Sequence, residues 1–217
     1  MQSRTPSIDA RERERGGGPV GAAPSLHARL RCETTAEHGE LERKLHLVDP
    51  ELSAARYRHV LQTLYGFYAP LEPRLARLSP LVPMSGLPLR DRAALLARDL
   101  VELGLSGPEV ARLPCCGELP RTTSAEQLAG CLYVLEGASL GGQLIARAIA
   151  RQPDPSSTRA TAFFTGDGAR TGARWRRVLQ WLHAHEAAGA RSDEIVTAAR
   201  ETFVQLGRWV ERQDAAQ

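Results

Sequence analysis

A histidine and a carboxylate one helical turn apart are the first residues that could do chemistry. His38 lies on a stripe whose spacing of three and four residues predicts a helix, together with Leu26, Leu30, Thr34, Leu41 and Leu45. A neutral imidazole can bind a metal through one ring nitrogen while the other N–H donates to a carboxylate or water, and Glu42 at i+4 can be that partner. A histidine on an apolar stripe is also a common core residue, so this pattern alone leaves both interpretations open.

The second feature is the segment Gly137-Ala-Ser-Leu-Gly-Gly142, in the middle of a long helical pattern that Thr123-Ser-Ala-Glu126 opens as a capping box. Interior glycines cost a helix about 1 kcal/mol each. They allow either a close approach of a flat ligand, with a bend in the helix, or tight helix packing. A phosphate-binding loop is excluded, because no strand precedes the segment and no GxGxxG or GKS/GKT pattern is present.

Taken together, the two features are more specific than either one. A helix with an inward histidine and a second helix bent at glycines could form two walls of a slot for a planar macrocycle. One wall would supply an iron ligand and the other would present only backbone.

Composition limits the class of protein. The chain has 217 residues, 42% of them hydrophobic and 24% charged, which fits one soluble globular domain. The formal net charge is +3, and acidic residues are interspersed with the basic ones, so no nucleic acid partner is expected. No run of eighteen apolar residues occurs, so no membrane span is expected. The four cysteines form no CxxC pair, which favours a reducing, cytoplasmic compartment.

The elements that must position these residues are helices. Residues 1–23 combine Ser, Pro, Gly and alternating charge, which predicts a flexible N-terminal tail, and residues 24–217 are expected to form one domain. Asp49-Pro50 predicts the start of a long helix in which Pro70 and Pro73 introduce kinks. Loops are predicted at Ser79–Pro88 and Gln152–Arg159. No strand pattern is present, so the prediction is an all-α, multi-helix bundle.

The sequence resembles a known family at both features. The segment 34–42 resembles the proximal helix of heme oxygenases, and 132–143 resembles their distal helix, most closely in the bacterial branch that supplies biliverdin to bacteriophytochromes. The resemblance spans about residues 26–212, with further matches at 65–68 and 163–166. It implies a helical bundle of the heme oxygenase type. It also implies oxidative opening of heme by O2, with electrons from a ferredoxin or reductase, to give biliverdin, CO and ferrous iron.

The resemblance also implies roles for single residues. His38 would be the proximal iron ligand, with Glu42 as its partner. The distal helix would bend over the iron at three glycines, Gly137, Gly141 and Gly142. Heme propionates would meet Arg31, Tyr133 and Arg177, and Phe203 would line the pocket.

Position 138 departs from the family pattern. Many members have an aspartate there that orders water for proton delivery, and this chain has Ala138. Ser139 is expected to hold that water network instead.

Two other functions are compatible with the same pattern. One is a non-catalytic carrier or sensor of heme or another tetrapyrrole. The other is an enzyme of the thiamin-degrading type, for which Cys131 or Cys32 would supply a thiolate. The chain has no paired Glu-x-x-His motif, so a di-iron bundle is not supported.

Overall fold

The computed structural model describes residues 24–82, 87–151 and 159–216. Within these residues the regular elements are helices and no strand occurs, so the predicted all-α bundle is confirmed. The predicted N-terminal tail and most of the loop Gln152–Arg159 lie outside the described residues. The α-helices are α1 (Leu26–Glu33), α2 (Thr35–Leu45), α3 (Ala54–Leu78), α4 (Arg92–Glu102), α5 (Gly107–Ala111), α6 (Ala125–Ile149), α7 (Ala162–Thr165), α8 (Thr171–Ala187) and α9 (Ser192–Asp214).

The first helical pattern forms two helices, not the one that its continuous stripe suggests. Thr34 separates them, and both its backbone N–H and its hydroxyl donate to the carbonyl of Leu30, at 3.1 and 2.7 Å. A threonine that bonds back to the carbonyl four residues earlier often bends a helix. A break of one residue leaves the apolar spacing intact, which is why the sequence pattern does not reveal it.

The long helix α3 begins later than predicted. Its N-cap is Ser53, whose hydroxyl accepts from the N–H of Arg56 at 3.1 Å. Asp49 instead closes a short turn by accepting from the N–H of Glu51 at 2.8 Å. Pro70 and Pro73 lie inside α3, which nevertheless continues to Leu78, so neither proline ends the helix.

Helix α4 is tied to α3 at its N-terminus. Asp91 is its N-cap, and both oxygens of the Glu72 carboxylate accept from the N–H groups of Arg92 and Ala93, at 2.9 and 3.0 Å. Asp91 and Glu72 thus satisfy amide groups that the first turn of a helix leaves without internal partners. The helix is followed by Gly104 at φ +94°, as the glycine predicts.

Helix α9 is the central support of the bundle. It packs against α6, where a Cβ added to Gly130 would lie 2.4 Å from the carbonyl oxygen of Ile195 and 2.7 Å from the Cβ of Ala198. This glycine therefore allows close contact of two helix backbones. Helix α2 also packs on α9. The helices that contain the two sequence motifs are thus held by one common neighbour.

Helix α6 is apolar enough, by length and composition alone, to cross a membrane. Half of the most apolar 18-residue stretch of this helix is buried inside the bundle, and Glu136 in the middle of the helix is ion-paired. Its apolar character is therefore accounted for by its place in the core of the described domain.

Candidate functional site

His38 lies at the surface of α2 beside a buried aromatic ring. Its side chain is 53% exposed, and its ring meets that of Phe203 on α9 edge to face, with centroids 5.6 Å apart. Phe203 itself is buried. The interpretation of His38 as a core residue is therefore wrong, because half of the imidazole is accessible.

The carboxylate of Glu42 faces the same imidazole. One of its oxygens lies 3.8 Å from Nε2 of His38. This distance is longer than a hydrogen bond, so the carboxylate can attract the ring without fixing which nitrogen faces it. The arrangement leaves a ring nitrogen free to bind an external ligand.

One face of α6 presents backbone and apolar side chains. Gly137 and Gly141 lie on it one turn apart, and a Cβ added to Gly141 would meet nothing within 4 Å. Leu140 and Leu144, at the edge of this face, are 37% and 44% exposed. This side of α6 thus combines open space with exposed apolar side chains.

Gly142 has a different environment. A Cβ there would lie 2.7 Å from the carbonyl oxygen of Phe164, so this glycine allows α6 to pack against α7. Helix α6 runs without interruption from Ala125 to Ile149 through the glycine segment. The three glycines thus differ: Gly142 allows packing, Gly141 faces open space, and Gly137 faces the ring of Trp175, 3.6 Å from an added Cβ.

The two motifs approach each other at Thr34 and Tyr133, because the Thr34 side chain is one of the groups that act on the Tyr133 hydroxyl. Tyr133 is 9% exposed, and burial raises its pKa to about 12, against the opposing effects of Arg31 and the Thr34 side chain. Thr34 lies one turn before His38, and Tyr133 lies one turn before Gly137. The structure therefore places the residue before α2 near the turn of α6 that precedes Gly137.

An aromatic cluster borders this junction. The rings of His27 and Trp175 lie 6.4 and 5.5 Å from the ring of Tyr133, and the Trp175 ring would be 3.6 Å from a Cβ on Gly137. Trp175 carries no distinguishing signal in the sequence, because one tryptophan on an apolar helix face looks like ordinary core.

Arg31 and Arg177 differ in their placement. The charge of Arg31, in the last turn of α1, acts on the Tyr133 hydroxyl. Arg177 is exposed on α8 two residues after Trp175. Because two residues correspond to about 200° around a helix, Arg177 is directed away from the side of α8 that covers Gly137. The structure therefore groups Arg31, but not Arg177, with the other predicted residues.

A buried charge network lies one residue before the glycine segment. The Glu136 carboxylate is 2% exposed and accepts two hydrogen bonds of 2.7 Å from Arg174, and Nη2 of Arg92 lies 2.8 Å from one of its oxygens. Burial alone would raise the pKa of Glu136, but the hydrogen bonds and charges of the two arginines outweigh it and lower this pKa to about 2. The sequence pattern did not reveal the network, whose members come from three separate helices.

Glu136→Gln is expected to lower the free energy of unfolding at pH 7 by about 3–5 kcal/mol, because it removes the nearest carboxylate from two largely buried guanidinium groups, those of Arg92 and Arg174. The pKa of Glu136 is lower in the folded state than the usual value of 4.5. The ionised Glu136 carboxylate therefore contributes fully to the free energy of unfolding above pH 4.5, and this contribution is lost as the pH falls towards 2. Urea unfolding between pH 7 and pH 3 measures both effects.

Glu118→Gln is the matched control. It removes the ion pair between Glu118 and Arg212, in which the Glu118 side chain is 62% exposed. It should lower the free energy of unfolding by less than about 1 kcal/mol. Equal stabilities of the two variants across this pH range would contradict the structural role assigned to Glu136.

The described residues contain no group of three His, Cys, Asp or Glu side chains that could hold a metal ion. Cys131 is fully buried, and burial raises the pKa of its thiol to about 12. A thiol with such a pKa is not a thiolate near neutral pH, which disfavours Cys131 as a nucleophile. Cys32 is an exposed free thiol.

A cavity of about 480 Å³ lies away from His38, between α3, the segment before α4, and α6. Its α6 wall contains Leu132 and Leu135, and none of the glycines of the glycine segment lines it. We place the candidate site at His38 and the glycine face, because neither a histidine nor a glycine of the glycine segment lines the cavity.

Comparison with known proteins identifies the class. A model of the heme oxygenase family matches residues 24–212. A heme oxygenase of Xanthomonas campestris pv. campestris (strain 8004) is 33% identical over 149 residues, which cover 68% of this chain and 84% of that protein. The chain therefore belongs to the heme oxygenase family, a family of oxidoreductases that degrade heme.

Proposed function

We propose that this protein binds heme between His38 and the glycine face of α6 and opens the ring to biliverdin, CO and ferrous iron. The observation that supports this most directly is the pair of an accessible imidazole, His38 on α2, and an α6 face with open space at Gly141 beside exposed leucines.

The residues present fit a heme. A porphyrin supplies four nitrogens to its iron, so the protein needs to provide only an axial ligand, and His38 has an accessible ring. Open space at Gly141 and the exposed Leu140 and Leu144 suit a flat apolar ring. Arg31, close to Tyr133, supplies a cation for a propionate. Arg177 is proposed for the same role, although it lies about 200° around α8 from Trp175.

The chain's own residues would act by positioning and by excluding water. When bound, heme supplies the iron at which O2 reacts and is itself the molecule that is oxidised. His38 would hold it from one side, with Glu42 orienting the imidazole and Phe203 packing against it. Gly137 and Gly141 would leave room for O2 on the other side, where side chains would obstruct it. Ordered water would then provide the hydrogen bonds, because the backbone N–H groups of the uninterrupted α6 already donate within the helix.

The remaining partners are part of the proposal. A ferredoxin or a reductase would supply electrons, O2 would be the oxidant, and a bacteriophytochrome would receive the biliverdin. Cytoplasmic localisation follows from the reducing environment in which these thiols and such electron donors occur.

The test is reduction of the hemin complex in air. With NADPH, ferredoxin and ferredoxin reductase, the Soret band should decay while bilin absorbance and one equivalent of CO appear. A carrier or sensor would keep its Soret band and release no CO, and that result would contradict the proposed activity. Hemin with the same reductants but without the protein is the control.

A further inference from the structure

The contacts of the His38 imidazole restrain it weakly. Its ring meets that of Phe203 edge to face, and the Glu42 carboxylate lies 3.8 Å from Nε2, which is longer than a hydrogen bond. Helix α2, which carries His38, also has little apolar packing. Of its eleven residues, all of them in the described part of the chain, only Leu41 is buried. A helix of this length is marginal in isolation, so other contacts must hold α2 and its histidine in place.

Two ion pairs join α2 to α9. Nε of Arg200 donates to Oε1 of Glu37 at 2.8 Å, and Nζ of Lys44 lies 2.9 Å from Oε1 of Glu211. Glu37 directly precedes His38, whereas Lys44 follows it by six residues, or about 9 Å along the helix. The segment of α2 that contains the imidazole is therefore anchored to α9 at both ends.

The α9 residues that meet these side chains of α2 lie on one stripe of the helix. Their spacings of three, four and four residues place them on the same face. They are Arg200, Phe203, Gly207 and Glu211. A Cβ added to Gly207 would lie 3.4 Å from Nζ of Lys44. The missing side chain at Gly207 thus leaves room for the Lys44 ammonium group beside α9.

The anchor at Lys44 is the stronger of the two. The side chain of Lys44 is 21% exposed, against 56% for Arg200, and its ammonium group also pairs with Glu40 at 2.6 Å. The Lys44 carbonyl, in the last turn of α2, accepts from Nη2 of Arg56 at 2.9 Å, and Arg56 is itself ion-paired with Asp214. An exposed single ion pair contributes little to stability, whereas a network contributes more. We therefore expect α2 to depend more on Lys44 than on Arg200.

We propose that Lys44 and Arg200 are positioning residues for the His38 imidazole, because they hold α2 on α9 so that the ring meets the heme iron in one orientation. This inference rests on the proposed function, in which His38 binds the iron. Both cations act through α2 and touch neither the heme nor O2.

The first test is amide hydrogen exchange in the apo-protein, which needs no heme. Lys44→Gln should accelerate exchange in residues 36–45 about five- to thirtyfold, because it removes the main restraint on the opening of α2. Arg200→Gln should have a smaller effect in the same residues. Exchange in α6 should stay as in the wild type, whereas a general loss of stability would accelerate exchange in both helices.

The second test is resonance Raman spectroscopy of the hemin complex after reduction with dithionite. In Lys44→Gln the iron–histidine stretching band should broaden and lose peak height, since the imidazole then meets the iron in several orientations. Bilin formation should slow at least about tenfold, because a misplacement of about 1 Å can cost a factor of about 100 in rate. Lys44→Arg keeps the charge but has a planar head group, so it should restore both signals in part.

Arg43→Gln is the matched control. Arg43 is the exposed neighbour of Lys44 on α2, and its substitution removes the same charge from the same helix. Exchange in residues 36–45, the iron–histidine band and the rate of bilin formation should all stay as in the wild type. An effect of Arg43→Gln equal to that of Lys44→Gln would contradict a specific role of Lys44.

Unchanged exchange of α2 in both glutamine variants would overturn the inference, as would equal acceleration in α2 and α6. Faster exchange with an unaltered iron–histidine band would overturn the positioning role as well. If Lys44→Gln does not fold, Arg200→Gln and Lys44→Arg decide the question by the same measurements. A wild-type complex without this band would defeat ligation by His38, and one that releases no CO would defeat the proposed activity. Exchange in the apo-protein would still show whether Lys44 anchors α2.

Discussion

His38→Ala is expected to abolish the axial-ligand spectrum of the hemin complex and to stop bilin formation. The imidazole is the one accessible ring beside Phe203 in the described part of α2, and alanine cannot bind iron. Because the side chain is 53% exposed, the free energy of unfolding should change by less than about 0.5 kcal/mol. Hemin titration followed by Soret absorbance and by turnover measures the effect.

Two comparisons sharpen this experiment. His183→Ala, at an exposed histidine on α8, should leave the spectrum and the rate as in the wild type. Added imidazole should restore the six-coordinate spectrum of His38→Ala, since the vacated space faces solvent. An unaltered Soret band in His38→Ala would remove this residue from the site.

Gly141→Leu is expected to weaken hemin binding at least about 100-fold, which corresponds to about 2.7 kcal/mol. A leucine there would fill the open space in which the macrocycle is proposed to lie. Helix propensity predicts that the apo-protein becomes no less stable, because leucine replaces an interior glycine of α6. Loss of binding without loss of stability is therefore the distinguishing result, measured by hemin titration and thermal unfolding.

Gly172→Leu is the matched control. Gly172 is an exposed helical glycine whose added Cβ would also meet nothing within 4 Å, so this variant should bind hemin normally. Gly142→Ala, unlike Gly141→Leu, should lower the free energy of unfolding, because the new methyl group would lie too close to the Phe164 carbonyl. Normal hemin affinity in Gly141→Leu would contradict the slot on this face of α6.

The sequence predicted those parts of the fold that depend on local periodicity. Helical spacing and the absence of strand patterns were sufficient for the all-α class. Helix boundaries were less predictable where hydrogen bonds decide them. Asp49-Pro50 looked like a helix start, yet Ser53 supplies the cap, and the break at Thr34 depends on a single threonine hydroxyl.

Part of the candidate site could be predicted from residue type alone. His38 and the glycine segment are conspicuous because their residue types are unusual for helices of their kind. Glu136, Arg92 and Arg174, in contrast, come from α6, α4 and α8, and each alone looks like a surface charge. Only tertiary structure shows that they are buried together. The same holds for Arg90, whose partners Ser139 and Asp167 lie 49 and 77 residues away in the sequence.

The different environments of the three glycines could be found only from the three-dimensional structure. In the sequence Gly137, Gly141 and Gly142 are equivalent departures from helix preference. In the structure Gly142 packs against Phe164, whereas Gly141 faces open space. A glycine that is needed for packing cannot be distinguished, from sequence alone, from one that is needed for ligand access.

A crystal structure of the hemin complex tests the central claim most directly. We predict that the iron is bound by a ring nitrogen of His38 and that the macrocycle lies over Gly137 and Gly141. Iron bound by any other residue would contradict the account, as would a macrocycle seated in the 480 Å³ cavity between α3 and α6.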